Sequence, residues 1–296
     1  MARDLAGLAA AAGAVLGVEL RAEGLFPVAG GSISRCYRCV TVSGDRLFLK
    51  VGAAADRAML EAEAAGLAEL RAASAVRVPG VLGFGVDGSR AWLGLEWLAF
   101  APTTESSQAM LGEQLALQHR VSAAAFGWSR DNTIGSTPQP NAWREEWVSF
   151  LRDARLRHQL ELAARNGFGG RLQDSGAALL ERLHEFFATY RPAPSLLHGD
   201  LWGGNWATDE RGHPVIFDPA VYYGDREADL AMTRLFGGFG PAFYAAYQGS
   251  WGLDAGAGAR VDLYNLYHVL NHLNLFGTAY HAHSLALIER LLAALR

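Results

Sequence analysis

With 296 residues, half of them hydrophobic and 19% charged, the chain has the length of one two-lobed enzyme or two small domains and is too apolar to be disordered. A net charge of −4 with no basic block argues against nucleic acid and anionic membrane as partners, so any bound nucleotide has to be held locally, by a metal and a few cations. Two cysteines, Cys36 and Cys39, are too few for a disulfide framework or a zinc site. Three apart on a strand, they are expected on opposite faces as free thiols, a redox role for Cys36 being the alternative.

The N-terminal run MARDLAGLAAAAGAVLG sets Arg3 before an apolar stretch, as a secretion signal does. However, Asp4 interrupts it, the run is too short for a bilayer, and Leu5, Leu8, Ala12, Val15 and Leu16 follow amphipathic-helix spacing. The expectation is a cytoplasmic protein with no membrane partner.

From Leu25 the pattern turns to strands. A first strand enters the turn Gly30-Gly31-Ser32, where backbone N–H groups can drape over phosphates; residues 37–42 and 47–51 return as strands. Lys50 stands inside the apolar run Phe48-Leu49-Lys50-Val51, a costly position unless the ammonium is paired. In the helix expected over 54–73, Glu63 lies on the stripe of Leu60, Leu67 and Leu70, which makes it the natural partner for Lys50. The bland alternative puts Lys50 at an exposed sheet edge and Glu63 on a solvated face. Two further strands, 78–85 and 91–98, complete a small lobe whose last residues, Glu96 to Leu98, are placed to offer backbone to an adenine.

Beyond residue 100 the periodicity is mostly helical, with candidates at 107–125, 143–164, 175–190, 227–236, 241–250 and 261–276. The polar loop Asn132–Asn141 lines an acceptor pocket or serves as a structural connection. Arg152, Arg155 and Arg157 read as a solvated or capping cluster. His268 and His272 share a helix face, but Val269-Leu270-Asn271 between them lacks the Glu of a zinc motif, which favours packed, hydrogen-bonding histidines.

The densest chemistry lies in SLLHGDLWGGNWATDERGHPVIFDP, residues 195–219. Two short apolar stretches flank the turn near Arg211-Gly212, predicting a hairpin that sets Asn205 almost opposite Asp218, about 5 Å apart, with Asp200 at its mouth. An amide and a carboxylate can share Mg²⁺ while a separate aspartate accepts a hydroxyl proton, the division of labour that phosphoryl transfer requires. His198-Gly199-Asp200, Asn205 and Asp218-Pro219 match the order of a kinase catalytic loop and metal-binding aspartate, with Gly199 in place of Arg and Pro219 in place of Phe-Gly. Taken singly, each piece is an ordinary turn or strand end; the spacing is what joins them. The resulting fold class is α+β: a bilobal, protein-kinase-like fold with a small antiparallel β lobe and one main helix (1–99, ATP-binding), followed by a larger, mainly helical lobe (100–296) with the catalytic loop and acceptor site.

HGDLWGGNW, IFDPAVYYGDREADLAM, WLGLEWL, FGWSRDNTIGSTPQPNAW and YNLYHVLNHLNLFG together resemble the fructosamine kinase (ketosamine 3-kinase) family along nearly the whole chain. The resemblance implies an ATP- and Mg²⁺-dependent kinase acting on the O3 hydroxyl of small-molecule or protein-bound ketosamines, a deglycating activity. It implies Asp200 as base, Asn205 and Asp218 as metal ligands, Lys50 and Glu63 as the phosphate-holding pair, and Trp202 beside the acceptor. Trp202 has its own rationale as an aromatic face for a sugar or an aminium, against the alternative of a core tryptophan plugging the hairpin. Asp225 or Arg226 is expected to cap the helix that follows, and Asp229 to bond the catalytic loop's backbone. The competing readings are a kinase for an aminoglycoside or another amino-alcohol, and a nucleotide-binding module without catalysis.

Overall fold

The computed structural model describes residues 2–28 and 34–295, so the expected phosphate turn Gly30, Gly31 and Ser32 lies outside the described residues. Helix α1 (Ala2–Leu16) precedes strands β1 (Leu20–Val28), β2 (Arg35–Thr41) and β3 (Arg46–Ala53), helix α2 (Arg57–Ala73), and strands β4 (Val81–Asp87) and β5 (Arg90–Glu96). The strands form one antiparallel sheet in the order β1-β2-β3-β5-β4. A strand covered on both sides reads as a near-continuous apolar run, as β3 does. On β3, Leu47, Leu49 and Val51 join Leu8, Ala9 and Ala12 of α1 and Trp92 in one apolar cluster. Phe48 and Lys50 lie on the other face, towards α2. The amphipathic helix expected at the N-terminus is thus α1, and its alanine-rich stripe closes the outer face of the sheet.

After a short strand β6 (Phe100–Ala101) the chain is mainly helical: α3 (Glu105–His119), the small hairpin β7 (Asn132–Ile134) and β8 (Thr137–Gln139), α4 (Trp147–Phe150), a π-helical stretch (Leu151–Arg157), α5 (His158–Arg165) and α6 (Arg171–Arg182). Then come β9 (Ser195–Leu197), the hairpin β10 (Trp206–Asp209) and β11 (Pro214–Ile216), β12 (Tyr222–Gly224), and α7 (Glu227–Leu235), α8 (Pro241–Ser250), α9 (Ala257–Phe276) and α10 (His281–Ala294). Helix α10 goes beyond the expected set, and α3 stops at His119, short of 125. One apolar core runs without a break from Leu60, Leu67 and Leu93 of the small lobe to Leu197, Ile216 and Val221 beneath the catalytic hairpin and on to Leu270 of α9.

Buried polar side chains organise the large lobe. The 132–141 segment proves to be both structural and cleft-lining. Asn132 Nδ2 donates to Val221 O at 2.8 Å and Gln139 Nε2 to Ala220 O at 3.1 Å, which fixes the segment to the strand entering β12, while Asn132–Ser136 reach the cleft. Arg155 departs from its expected solvated cluster. It is 1% exposed, donates to Pro140 O and Asn141 Oδ1 at 2.6 and 2.7 Å, and lies 4.1 Å over the Tyr222 ring. Its long stem lets the guanidinium satisfy an otherwise orphaned carbonyl from within an aromatic pocket. Both cysteines are free and buried; Cys36 is paired across the sheet with Lys50 and Cys39 lies in the α1-side cluster, on opposite faces as expected.

Leu8 is 0% exposed and α1 touches the sheet rather than the cleft, so Leu8→Ala is expected to cost about 2–4 kcal/mol by leaving a cavity. A urea titration should show a lower midpoint with an unchanged slope.

Candidate active site

A cleft of about 1310 Å³ lies between the lobes and is lined at its inner end by Lys50, Glu63 and Asp218, at the strand exit by Glu96, Trp97 and Leu98, and at its outer end by Asp200, Trp202 and an aromatic wall. Lys50 reaches it from the inward face of β3. Its Nζ donates to Glu63 Oε1 at 2.7 Å and to Asp218 Oδ1 at 2.6 Å. Burial alone would lower the Lys50 pKa, but two carboxylates at contact distance outweigh it and raise the value, so the ammonium stays charged. The exposed-edge alternative is excluded. Glu63 is positioned by α2, whose Gly66 packs so closely on Val221 that an added Cβ would stand 3.2 Å from it.

The hairpin register is Trp206↔Ile216, Ala207↔Val215 and Thr208↔Pro214, and Phe217 N donates to Asn205 O at 3.0 Å. Asn205 therefore faces Phe217, one position short of the expected Asp218. The reason is the turn: Gly212 takes φ +83° and Asp209 Oδ1 accepts from Arg211 and His213 N–H, centring the loop on Arg211 rather than between Arg211 and Gly212. Asp218 nevertheless turns back to the site because it adopts φ +57°, a left-handed conformation unusual for a residue other than glycine.

Asn205 Nδ2 donates to Asp200 O at 2.8 Å and to Asp200 Oδ2 at 3.2 Å, holding the Asp200 carboxylate at the cleft mouth. Burial, with the nearby Asp218 charge adding to it, pushes the Asp200 carboxyl up to about 7. The catalytic loop is held from below by Asp229 of α7, which accepts His198 N at 2.7 Å and Gly199 N at 2.9 Å, as expected, and also meets His119 Nε2 at 3.1 Å. Burial would raise the Asp229 carboxyl, but the His119 contact, the nearby His198 and the Gly199 amide outweigh it and hold it below the usual range. His198 Nδ1 accepts from Asp200 N at 3.3 Å, leaving Nε2–H to donate to Phe217 O at 3.0 Å. One imidazole thus ties the loop carrying Asp200 to the residue before Asp218. Gly199 has φ +83°, and a Cβ there would stand 2.0 Å from Ala220 O, so no side chain, and certainly no arginine, can occupy this position. Asp225 Oδ1 accepts Glu227 N at 3.1 Å and so caps α7, while Arg226 instead ties Trp251 O and Gly252 O.

Trp202 folds over Gly204, where an added Cβ would stand 2.4 Å from its ring, and remains 38% exposed at the cleft wall rather than plugging the hairpin. It makes an edge contact with Phe236 at 6.1 Å, and Phe236 continues to His272 at 4.8 Å, which in turn meets Phe276 and Tyr280 at 5.4 and 5.1 Å. Sequence reasoning treated His272 only as a packed histidine. The i, i+4, i+8 spacing of His272, Phe276 and Tyr280 was the available signal for a shared face. No cluster of three or more His, Cys, Asp or Glu side chains that could hold a metal occurs among the described residues, and His272 Nδ1 lies 2.8 Å from His268 O within the helix. At the inner end the oxygen donors are the Asp218 carboxylate and the Asn205 amide oxygen, a hard donor set that suits Mg²⁺.

The fructosamine kinase family model matches residues 8–294. The chain belongs to the fructosamine kinase family. A Synechocystis protein described as a probable ketoamine kinase is 41% identical over 277 residues, spanning 93% of this chain and 92% of its own. The rice chloroplastic protein-ribulosamine 3-kinase is 36% identical, spanning 95% and 82%. A crystal structure assigned as a fructosamine-3-kinase from Thermobifida fusca superposes with a TM-score of 0.86 at 31% identity, covering 97% of this chain and 98% of that one. The fold is the protein-kinase-like phosphotransferase fold, and the chain is an enzyme transferring phosphoryl to an alcohol group. No helix among the described residues is long and apolar enough to cross a membrane.

Folded Asp200 keeps its proton up to about 7 whereas an ordinary aspartate releases it near 3.8, so the raised value costs the ligand-free protein stability as pH climbs through that window and costs nothing below it. Asp200→Asn is expected to stabilise the ligand-free protein by about 1–3 kcal/mol at pH 8, with the gain vanishing near pH 4, in thermal melts at both values.

Proposed function

We propose that the chain is an ATP- and Mg²⁺-dependent ketosamine kinase that phosphorylates a sugar hydroxyl of fructosamines or ribulosamines, free or protein-bound, as a step in removing glycation adducts. The observation that carries this reading is a single cleft with a carboxylate poised beside an aromatic wall and a lysine paired to two carboxylates at its inner end. Residues 1–99 are assigned as the ATP-binding lobe and 100–296 as the lobe of catalysis and acceptor binding.

The positions of the described side chains support a role for each. Lys50, kept charged and aimed by Glu63, holds the α- and β-phosphates, and the exit strand at Glu96 to Leu98 offers backbone to the adenine. The Glu96 N–H already donates to Gly80 O at 2.8 Å and so is not the group offered. The turn Gly30-Gly31-Ser32, outside the described residues, is assigned to the phosphates from its sequence pattern alone. Asn205 and Asp218 would hold Mg²⁺, which when bound neutralises charge on the phosphates. Asp200 orients the acceptor hydroxyl and takes its proton, its carboxylate fixed by the Asn205 amide.

Trp202, Phe236, His272, Phe276 and Tyr280 offer apolar ring faces to a sugar and π faces to a single amine. This wall favours a ketosamine over an aminoglycoside, whose several ammonium groups call for a carboxylate-rich pocket. The assembled base, lysine pair and oxygen donors likewise favour catalysis over a nucleotide-binding module.

Incubation with Mg-ATP and fructosyl- or ribulosyl-lysine is expected to give a phosphorylated ketosamine detectable by mass spectrometry, and an aminoglycoside panel should give none. Absence of product from every ketosamine would overturn the substrate assignment. Asp200→Asn should lower kcat by about 10²–10⁴-fold and leave the ATP dissociation constant within about threefold.

A further inference from the structure

The strand exit assigned to adenine is closed into a ring by a side chain outside the cleft. Arg77, in the segment between α2 and β4, donates from Nη2 to Glu96 Oε1 at 2.8 Å and from Nη1 to Asp209 Oδ2. Glu96 is the last residue of β5. Asp209 ends β10, where it pairs with Phe100, the first residue after the exit. Arg77, Glu96, Phe100 and Asp209 therefore brace residues 97–99 at both ends. The brace is built in at the backbone as well, since Ile216 N donates to Arg77 O at 3.0 Å, laying residue 77 alongside the catalytic hairpin. The other Glu96 oxygen accepts Gly80 N at 3.1 Å, and the Asp209 carboxylate, 4% exposed, also holds the turn that sets the Asn205 register. On the cleft side, Phe100 stacks on Phe217, the residue before Asp218, at 5.6 Å.

We infer that Arg77 is a positioning residue for the nucleotide: by joining Glu96 to Asp209 it fixes the spacing between the adenine-facing exit and the hairpin that carries Asn205 and Asp218. Arg77 and Asp209 do not line the cleft, so Arg77 acts through backbone placement and not by contact with ATP. A planar guanidinium suits the task, because two of its nitrogens engage two carboxylates on different elements at once, which an ammonium on a flexible stem does less rigidly. Losing it lets the exit relax and raises the cost of assembling the adenine and phosphate contacts together. This inference rests on the assignment of residues 96–98 to ATP.

The test compares wild type with Arg77→Met, Arg77→Lys and Glu96→Gln by calorimetric titration with Mg-ATP and by steady-state kinetics. Arg77→Met is expected to raise the nucleotide dissociation constant about tenfold, on the scale of one lost charge-assisted hydrogen bond passed to the site. The acceptor KM and kcat should stay within about threefold. Arg77→Lys should recover part of the loss. Glu96→Gln, which keeps the accepting oxygen and is the mildest change to the fold, should raise the constant about threefold. Overturning results are a nucleotide affinity within twofold of wild type for both Arg77→Met and Glu96→Gln, or a loss spread equally over nucleotide, acceptor and turnover, the mark of a purely structural role. A wild-type protein that does not bind Mg-ATP would instead remove the nucleotide assignment, and this inference with it.

Discussion

A buried ammonium between two carboxylates from different parts of the chain is the constraint to which the rest of the site answers. Lys50 lies on a central strand of the small sheet, Glu63 on the helix behind it and Asp218 at the end of the catalytic hairpin, with Nζ at 2.7 and 2.6 Å from the two acids. Desolvating such a cation is expensive, and removing either partner leaves an uncompensated charge, at a cost of about 3–5 kcal/mol. The contact therefore ties sheet, helix and hairpin into one arrangement, and it also leaves a positive charge at the inner end of a cleft with oxygen donors beside it. The same three side chains that join these elements also form the inner end of the cleft.

The catalytic loop shows the complementary device, in which polar groups with no chemical role hold those that have one. Asp229 accepts two successive loop amides, and His198 bridges to Phe217. Asn205 restrains the Asp200 carboxylate, which sits in surroundings that disfavour its charge. Groups held against their own solvation preference are what an acid–base site requires, and the supporting hydrogen bonds lie in the rigid core. The absence of an arginine after His198 has a steric cause: the Ala220 carbonyl fills the space at Gly199, and the loop is held instead by Asp229 and by the bonds of His198 and Asn205.

Between the lobes, the covalent link is short and its geometry is set by side chains far apart in sequence. Arg77 meets Glu96 and Asp209, and Tyr223 of β12 donates to Glu69 of α2 at 2.7 Å. Both join small-lobe to large-lobe elements at the periphery of the cleft, leaving its interior to the residues that face a ligand.

What the sequence determined by itself was the local chemistry and its order. The apolar run around Lys50 marked it as a strand lysine in need of a partner, helical spacing placed Glu63 on the apolar stripe, and the 198–218 spacing set Asp200, Asn205 and Asp218 in the order of a kinase catalytic loop. These are period and spacing signals within short stretches, which local backbone geometry converts directly into positions. Only the tertiary structure decided that Arg155 is buried, since its partners are carbonyls and rings supplied by other segments. Nor could spacing show that Phe236 of α7 meets His272 of α9 across the cleft, or that Arg77 meets an acid 132 residues away. The one-residue shift that faces Asn205 with Phe217 has the same origin: strand spacing fixes the hairpin, but the turn's hydrogen bonds to Asp209 fix its register, and the left-handed backbone of Asp218 then restores its carboxylate to the site.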